Sequence, residues 1–247
     1  MKNLVKIGLI RLYKHWFYVV GCILAFVITV WFLETRPIPQ LAHQSAESVA
    51  ILLSGAIIVY FSMFIGIFMG SEAEDGILRN KVMAGHTQLE VYVSHYVTFL
   101  LALIGMLVCW FLGAMVGGTQ VTADFIEYTC IAFLYNAAYI AIIQAIVFRM
   151  KKMVSGVVLG LGIFYFLAAN VLISNYIYMV LSDMGQPIMV TLFSVIYNMS
   201  AVGQCFARTA LADPGLGTTG VQVSVSLGLI VLASLLGTLK LKKRDIK

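Results

Sequence analysis

Charge is scarce in this 247-residue chain: Asp, Glu, Lys and Arg make up 11% of it, whereas 61% is hydrophobic. An ordinary soluble domain is about one-quarter charged, so this balance excludes one. Only four prolines are present, and long helices therefore meet few interruptions. Cysteine is equally sparse. Cys22, Cys109, Cys130 and Cys205 show no C-x-x-C spacing and three lie in apolar stretches, which argues against a disulfide framework or thiolate metal site. His15, His43, His86 and His95 are as dispersed, so no metal ligand set is assigned. A G-x-x-x-x-G-K-[ST] phosphate loop is missing, and no polar segment is long enough for an ATPase domain. Paired catalytic carboxylates within an apolar stretch and a nucleophile elbow are also missing, so an enzyme is not expected.

What the chain does have is six apolar stretches: Trp16 to Leu33, Val49 to Met69, Tyr96 to Val116, Phe125 to Phe148, Met153 to Ile173 and Val223 to Leu239. Each has about the 17–25 residues that carry a helix across roughly 30 Å of hydrocarbon. A helix satisfies its own backbone hydrogen bonds, as lipid demands. The expected architecture is an all-α polytopic membrane protein, with residues 1–247 forming one transmembrane domain. The first stretch runs into Glu34-Thr35-Arg36-Pro37 without a small-residue cleavage site, so it is expected to remain as a span.

Charge sign adds an orientation. Fourteen of the 16 Lys and Arg residues fall in alternate gaps: Lys2, Lys6, Arg11 and Lys14; Arg79 and Lys81; Arg149, Lys151 and Lys152; Lys240, Lys242, Lys243, Arg244 and Lys247. The other side has only Arg36 and Arg208. Basic loops remain cytoplasmic, so both termini are expected inside a plasma membrane. The net charge of +5 is spread over four short segments, which makes it an orientation signal and leaves no nucleic-acid partner indicated.

Residues 1–14 place Val5, Leu9, Leu12 and Trp16 at helical spacing beside Leu4 and Gly8, with Asn3, Lys6, Arg11 and Lys14 opposite and Ile7 and Ile10 among them. The pattern predicts an amphipathic helix, either in the lipid boundary or packed on the protein's inner face. Residues 174–222 form the long external segment. Its apolar run from Ile188 to Tyr197 has ten residues, about half of what a crossing needs, and Pro187 stands before it. Re-entrant or interfacial helices are expected there, with ends satisfied by protein.

The densest charge lies in residues 70–95. Gly76 can end the helix descending from the second span, Ile77 to Ala84 can make about two turns, and Gly85 supplies a stop. Thr87 and Glu90 form a T-x-x-E capping box for the next helix. The result is a short transverse helix whose charges, with Ile77, Leu78, Val82 and Met83, suit a groove on a cytoplasmic partner.

This loop resembles the first cytoplasmic loop of type-2 permeases of ATP-binding-cassette transporters, approximately E-x-x-x-G-T-x-R-N-K-x-x-x-G-H-S-R-x-x-x-Y-x-S-K. Glu72, Gly76, Arg79, Asn80, Lys81, Gly85, His86, Tyr92 and Ser94 match; Ile77, Thr87, Gln88 and His95 depart from it. The resemblance implies a permease subunit whose short transverse helix couples to a separate ATPase. Glu72, Gly76, Ile77, Arg79, Asn80, Lys81 and Gly85 would form the coupling segment, ATP and Mg would bind the partner, and a second permease subunit would complete a homodimer. It also implies export of an amphipathic compound such as an antimicrobial peptide or lantibiotic by a bacterial cell. A non-transporting scaffold or sensor using the same loop is the alternative.

Inside the spans, Gly66/Gly70, Gly113/Gly117 and Gly156/Gly160 have G-x-x-x-G spacing, which permits close helix approach. Gly156 and Gly160 are candidates for a subunit interface, with intrachain packing as the other use. No Lys, Arg or Asp falls in a span, and Glu127 lies near an outer boundary, which weakens an ion-coupled carrier. Ser54, Ser62, Asn136, Gln144 and Asn170 are the polar residues that would line a path or join helices.

Overall fold

The computed structural model describes residues 1–38, 44–150, 152–185, 187–208 and 218–239, and among them it contains only helices. In chain order these are α1 (Lys2–Lys14), α2 (Trp16–Thr35), α3 (Ala46–Glu74), α4 (Ile77–Met83), α5 (Gln88–Val116), α6 (Ala123–Val147), α7 (Met153–Asp183), α8 (Pro187–Asn198), α9 (Ala201–Phe206) and α10 (Thr219–Thr238). Six of them, α2, α3, α5, α6, α7 and α10, are long and apolar enough to cross a membrane. His43, Lys151 and the C-terminal cations Lys240, Lys242, Lys243, Arg244 and Lys247 lie outside the described residues.

The bundle is built around α3 and α6. Helix α3 meets α2, α5, α6, α7 and α9, while α10 packs along α6 and α2 along α5. Phe61, Phe64, Ile65 and Phe68 of α3 are buried, Phe64 and Phe68 against Phe99 of α5, and Tyr135, Tyr139 and Ile140 of α6 are enclosed as well. By contrast α2 exposes Val19, Ile23, Val27 and Trp31, and α7 exposes Tyr165, Phe166, Leu172 and Tyr176. In a bilayer those apolar faces meet acyl chains, so they carry no water-exposure cost.

Glycine sets the tightest contacts. An added Cβ on Gly66 would lie 2.6 Å from the Val157 nitrogen, and one on Gly160 would strike the Ser62 carbonyl. Gly156 faces Gly66, with its added Cβ 3.1 Å from the Gly66 Cα. The glycines considered for a subunit interface, Gly156 and Gly160, therefore sit inside the α3–α7 contact of one chain. Gly113 likewise packs against Phe26 and Thr29 of α2.

Polar residues of the spans join helices. Gln144 donates to the Tyr92 carbonyl at 2.7 Å, Trp110 to the Ala50 carbonyl at 2.9 Å, and Tyr18 to the Ala102 carbonyl at 2.9 Å. Ser62 meets Tyr139 at 2.8 Å, and Ser54 meets Tyr135. Asn136 bonds the Ala132 carbonyl of its own helix, and exposed Asn170 accepts from Ser174. Ser54, Ser62 and Gln144 thus join helices, while Asn136 and Asn170 bond within their own.

Two elements differ from the sequence expectation. Helix α7 has 31 residues, about 46 Å at 1.5 Å per residue, so the helix of the fifth apolar stretch runs on to Asp183, past the expected end at Ile173. Nothing stops a helix there: the first breaker is Gly185, at φ +66°. On α1 the enclosed face is Leu4, Gly8 and Leu12, whereas Trp16 belongs to the next helix and is 69% exposed. The break falls at His15, whose backbone is extended. Burial and the nearby Arg11 guanidinium push the His15 imidazole below its ordinary range.

The segment after α7 folds back onto the bundle. Helix α8 has 12 residues, too few to cross, and the six-residue α9 returns into the bundle with Ala201 to Cys205 buried. Ser200 caps α9 by accepting from Gly203 N at 3.3 Å. Gln204 donates to the Asn198 carbonyl at 2.7 Å, accepts from Ser226 at 2.9 Å, and offers its own carbonyl to Gln222 at 3.1 Å. Cys205 donates its thiol to the Ile51 carbonyl of α3 at 3.2 Å. The ends of this short helix are thus satisfied by protein, as its burial requires.

Candidate coupling site

Four elements converge at the end of the bundle that holds α1 and α4. The turn between α3 and α4 exists because Gly76 adopts φ +69°, a left-handed conformation costly for other residues. Gly85, at φ +93°, closes the other end of α4. Helix α5 then starts on a full capping box: Thr87 Oγ1 accepts from Glu90 N at 3.2 Å, and the Glu90 carboxylate accepts from Thr87 N at 3.0 Å. Helix–turn–short helix–helix is therefore what these residues form locally.

At the centre lies Glu72, in the last turn of α3 and wholly enclosed. Its Oε1 receives Arg11 Nη1 of α1 at 2.5 Å. Its Oε2 receives Lys81 Nζ of α4 at 2.7 Å and faces His95 Nε2 of α5 at 2.8 Å. Lys81 Nζ is also 3.3 Å from that ring nitrogen. His95 Nδ1 lies 2.8 Å from the Val91 carbonyl, an acceptor only, so Nδ1 carries a hydrogen. Nε2 then donates to Glu72 in the imidazolium, or accepts from the Lys81 ammonium in the neutral ring. A lone buried carboxylate is costly; here hydrogen bonds from several elements compensate it, and in return one side chain ties α1, α3, α4 and α5 together.

The arrangement separates the expected coupling residues into two groups. Glu72 and Lys81 point inward and support the turn, with Lys81 at 12% side-chain exposure. Leu78 and Val82 are half-buried and pack against the core, which leaves Met83 as the fully exposed member of the apolar set Ile77, Leu78, Val82 and Met83. Arg79, Asn80 and Met83 are exposed, as are Glu74, Asp75 and Gly85, and Ile77 is half-buried. The outward surface of α4 is thus Arg79, Asn80 and Met83. Glu74 holds the loop before α7 as well, accepting from Met153 N at 2.8 Å.

Sequence reasoning missed Arg11 and His95 as members of this cluster. Their i-to-j separations from Glu72 are 61 and 23 residues, and no local pattern joins them. The opposite end of the bundle has its own clamp: Arg208, after α9, lies 3.5 Å from Glu127 of α6 and donates to Thr219 and Gln222 of α10 at 2.6 and 2.8 Å.

Comparison with protein-family models finds no match, and comparison with curated proteins finds no relative. The functional reading therefore rests on the loop, its geometry and the span pattern.

Proposed function

We propose that this chain is the membrane-spanning permease subunit of an ATP-driven exporter of the type-2 ATP-binding-cassette kind, working with a separate ATPase and a second permease subunit. The observation that carries the reading is α4, a short exposed helix fastened through Lys81 to a buried carboxylate shared by three other helices. A push on its outer surface is delivered to α1, α3 and α5 together, the stiff connection that energy transfer from a cytoplasmic ATPase requires. The loop residues that resemble such permeases are the ones that build it: Gly76 and Gly85 at the turns, Lys81 inward, Arg79 and Asn80 outward.

In this reading the α1/α4 end is cytoplasmic, in line with the distribution of Lys and Arg, and six crossings leave both termini there. The cargo class is an amphipathic compound, with an antimicrobial peptide as the specific candidate, in a bacterial plasma membrane. ATP and Mg belong to the partner. The test is reconstitution in liposomes with the proton gradient collapsed: movement of cargo is expected only with permease, ATPase and ATP together. Movement driven by this chain alone under an imposed pH gradient would replace the proposal with a carrier.

A further inference from the structure

Beside the buried face of α1 runs a second stripe that the protein does not cover. Val5, Leu9, Ile10 and Tyr13 of α1, with Val97 of α5, line an open groove of about 530 Å³, and Met1, Lys2 and Lys6 stand along it. Its volume is in the range of sites that hold one small molecule. Ile10 and Tyr13 are about half exposed, at 46% and 54%. Lys2, Lys6, Leu9 and Tyr13 follow one another at steps of four, three and four residues, so they share one side of the helix. Cations thus occupy the early part of this stripe and apolar side chains the later part.

Position and charge select the occupant. Val97 lies in α5, within the helix that spans the membrane, and α1 leads directly through His15 into the span α2. The groove is therefore at the boundary between headgroups and acyl chains. Among the described ion pairs none uses Lys2 or Lys6, whereas the cation of the same helix that does have a carboxylate, Arg11, points away to Glu72. An apolar trough with two uncompensated ammonium groups at one end matches a molecule with an anionic head and an alkyl body.

We propose that the α1–α5 groove is a binding site for one anionic phospholipid, its phosphate beside Lys2 and Lys6 and an acyl chain along Leu9, Tyr13 and Val97. The site fastens α1, and with it Arg11 of the Glu72 cluster, to the membrane surface. It stands independently of the transport reading, because its occupancy is measured without an ATPase or cargo.

The test uses the purified full chain in nanodiscs of phosphatidylcholine with one-fifth phosphatidylglycerol, released into native mass spectrometry to count retained lipids. One phosphatidylglycerol per chain is expected, in preference to phosphatidylcholine. Each lysine near an anionic surface contributes a factor of about five, so either Lys2→Gln or Lys6→Gln should lower retention about fivefold and the pair about 25-fold. Val97→Phe fills the trough with both lysines intact and should lower it too; Ile10→Ser, at an exposed position, gives the same readout without crowding α5. Loss in the lysine variants alone would mean diffuse surface attraction and overturn the site. Loss in the trough variants alone would overturn the anionic assignment. Equal retention in all variants would overturn both parts, and a dimer that the same variants dissociate would assign the groove to a second copy instead.

Discussion

Replacing Glu72 with Gln removes one charge and leaves three nitrogen groups around a neutral amide. Arg11, Lys81 and His95 come from three different helices, so the loss is felt by all of them. Breaking a buried pair by deleting one partner costs about 3–5 kcal/mol, because the remaining charge is left uncompensated. Cations that can turn toward water lessen that cost. Arg11, with 34% of its side chain exposed, is such a case, whereas Lys81 at 12% is less able to escape. Arg11→Gln should therefore cost about 1 kcal/mol or less, in the range of a screened pair, and Glu72→Gln should fall in the larger range. At about 2–4 °C per kcal/mol for a domain of this size, the expected drop in unfolding temperature is roughly 6–20 °C for Glu72→Gln and under about 4 °C for Arg11→Gln. Thermal unfolding of the purified chain in nanodiscs, followed by tryptophan fluorescence, reads both. A Glu72→Gln protein no less stable than Arg11→Gln would refute the view that this carboxylate holds four elements together.

Gly160→Leu should force α7 away from the Ser62 carbonyl at a cost of about 1–3 kcal/mol or more, while Gly162→Leu, which meets open space, should be tolerated; monodispersity and unfolding temperature in detergent distinguish them. Gln204→Leu takes the acceptor from Ser226 in a buried site and should destabilise the α9 segment by about 1–3 kcal/mol, visible as faster hydrogen exchange of α9 with the rest of the bundle unchanged. In a cysteine-free background, an impermeant thiol reagent added to intact cells should label position 208 and not position 2; the reverse would invert the orientation.

The turn at α4 was legible because its causes are local. Gly76, Gly85 and the Thr87/Glu90 pair act within a few residues, and the helix they delimit is found where they place it. The six spans were legible for a similar reason, since length and apolarity are properties of a segment. Glu72 shows what is not local: next to Glu74 and Asp75 it reads as one more loop charge, and only the meeting of α1, α4 and α5 makes it the buried member. Gly156 shows the same limit. Its spacing announces a close approach without naming the neighbour, and the neighbour is Gly66 of the same chain. On α1 the pattern left open the lipid boundary or the protein's inner face and gave a stripe through Val5, Leu9, Leu12 and Trp16; the face that packs is Leu4, Gly8 and Leu12, because the missing side chain of Gly8 admits Thr98 of α5.

The central claim, that α4 presents a coupling surface to a separate ATPase, is tested most directly by co-purification of the full chain from its native membrane in mild detergent. An ATP-binding-cassette ATPase should be recovered with the unaltered chain and lost with Arg79→Glu, whose exposed position leaves the Glu72 cluster and membrane insertion intact. Recovery of the chain without any ATPase, or undiminished recovery of the ATPase with Arg79→Glu and with an equivalent change at the exposed Met83, would contradict the account.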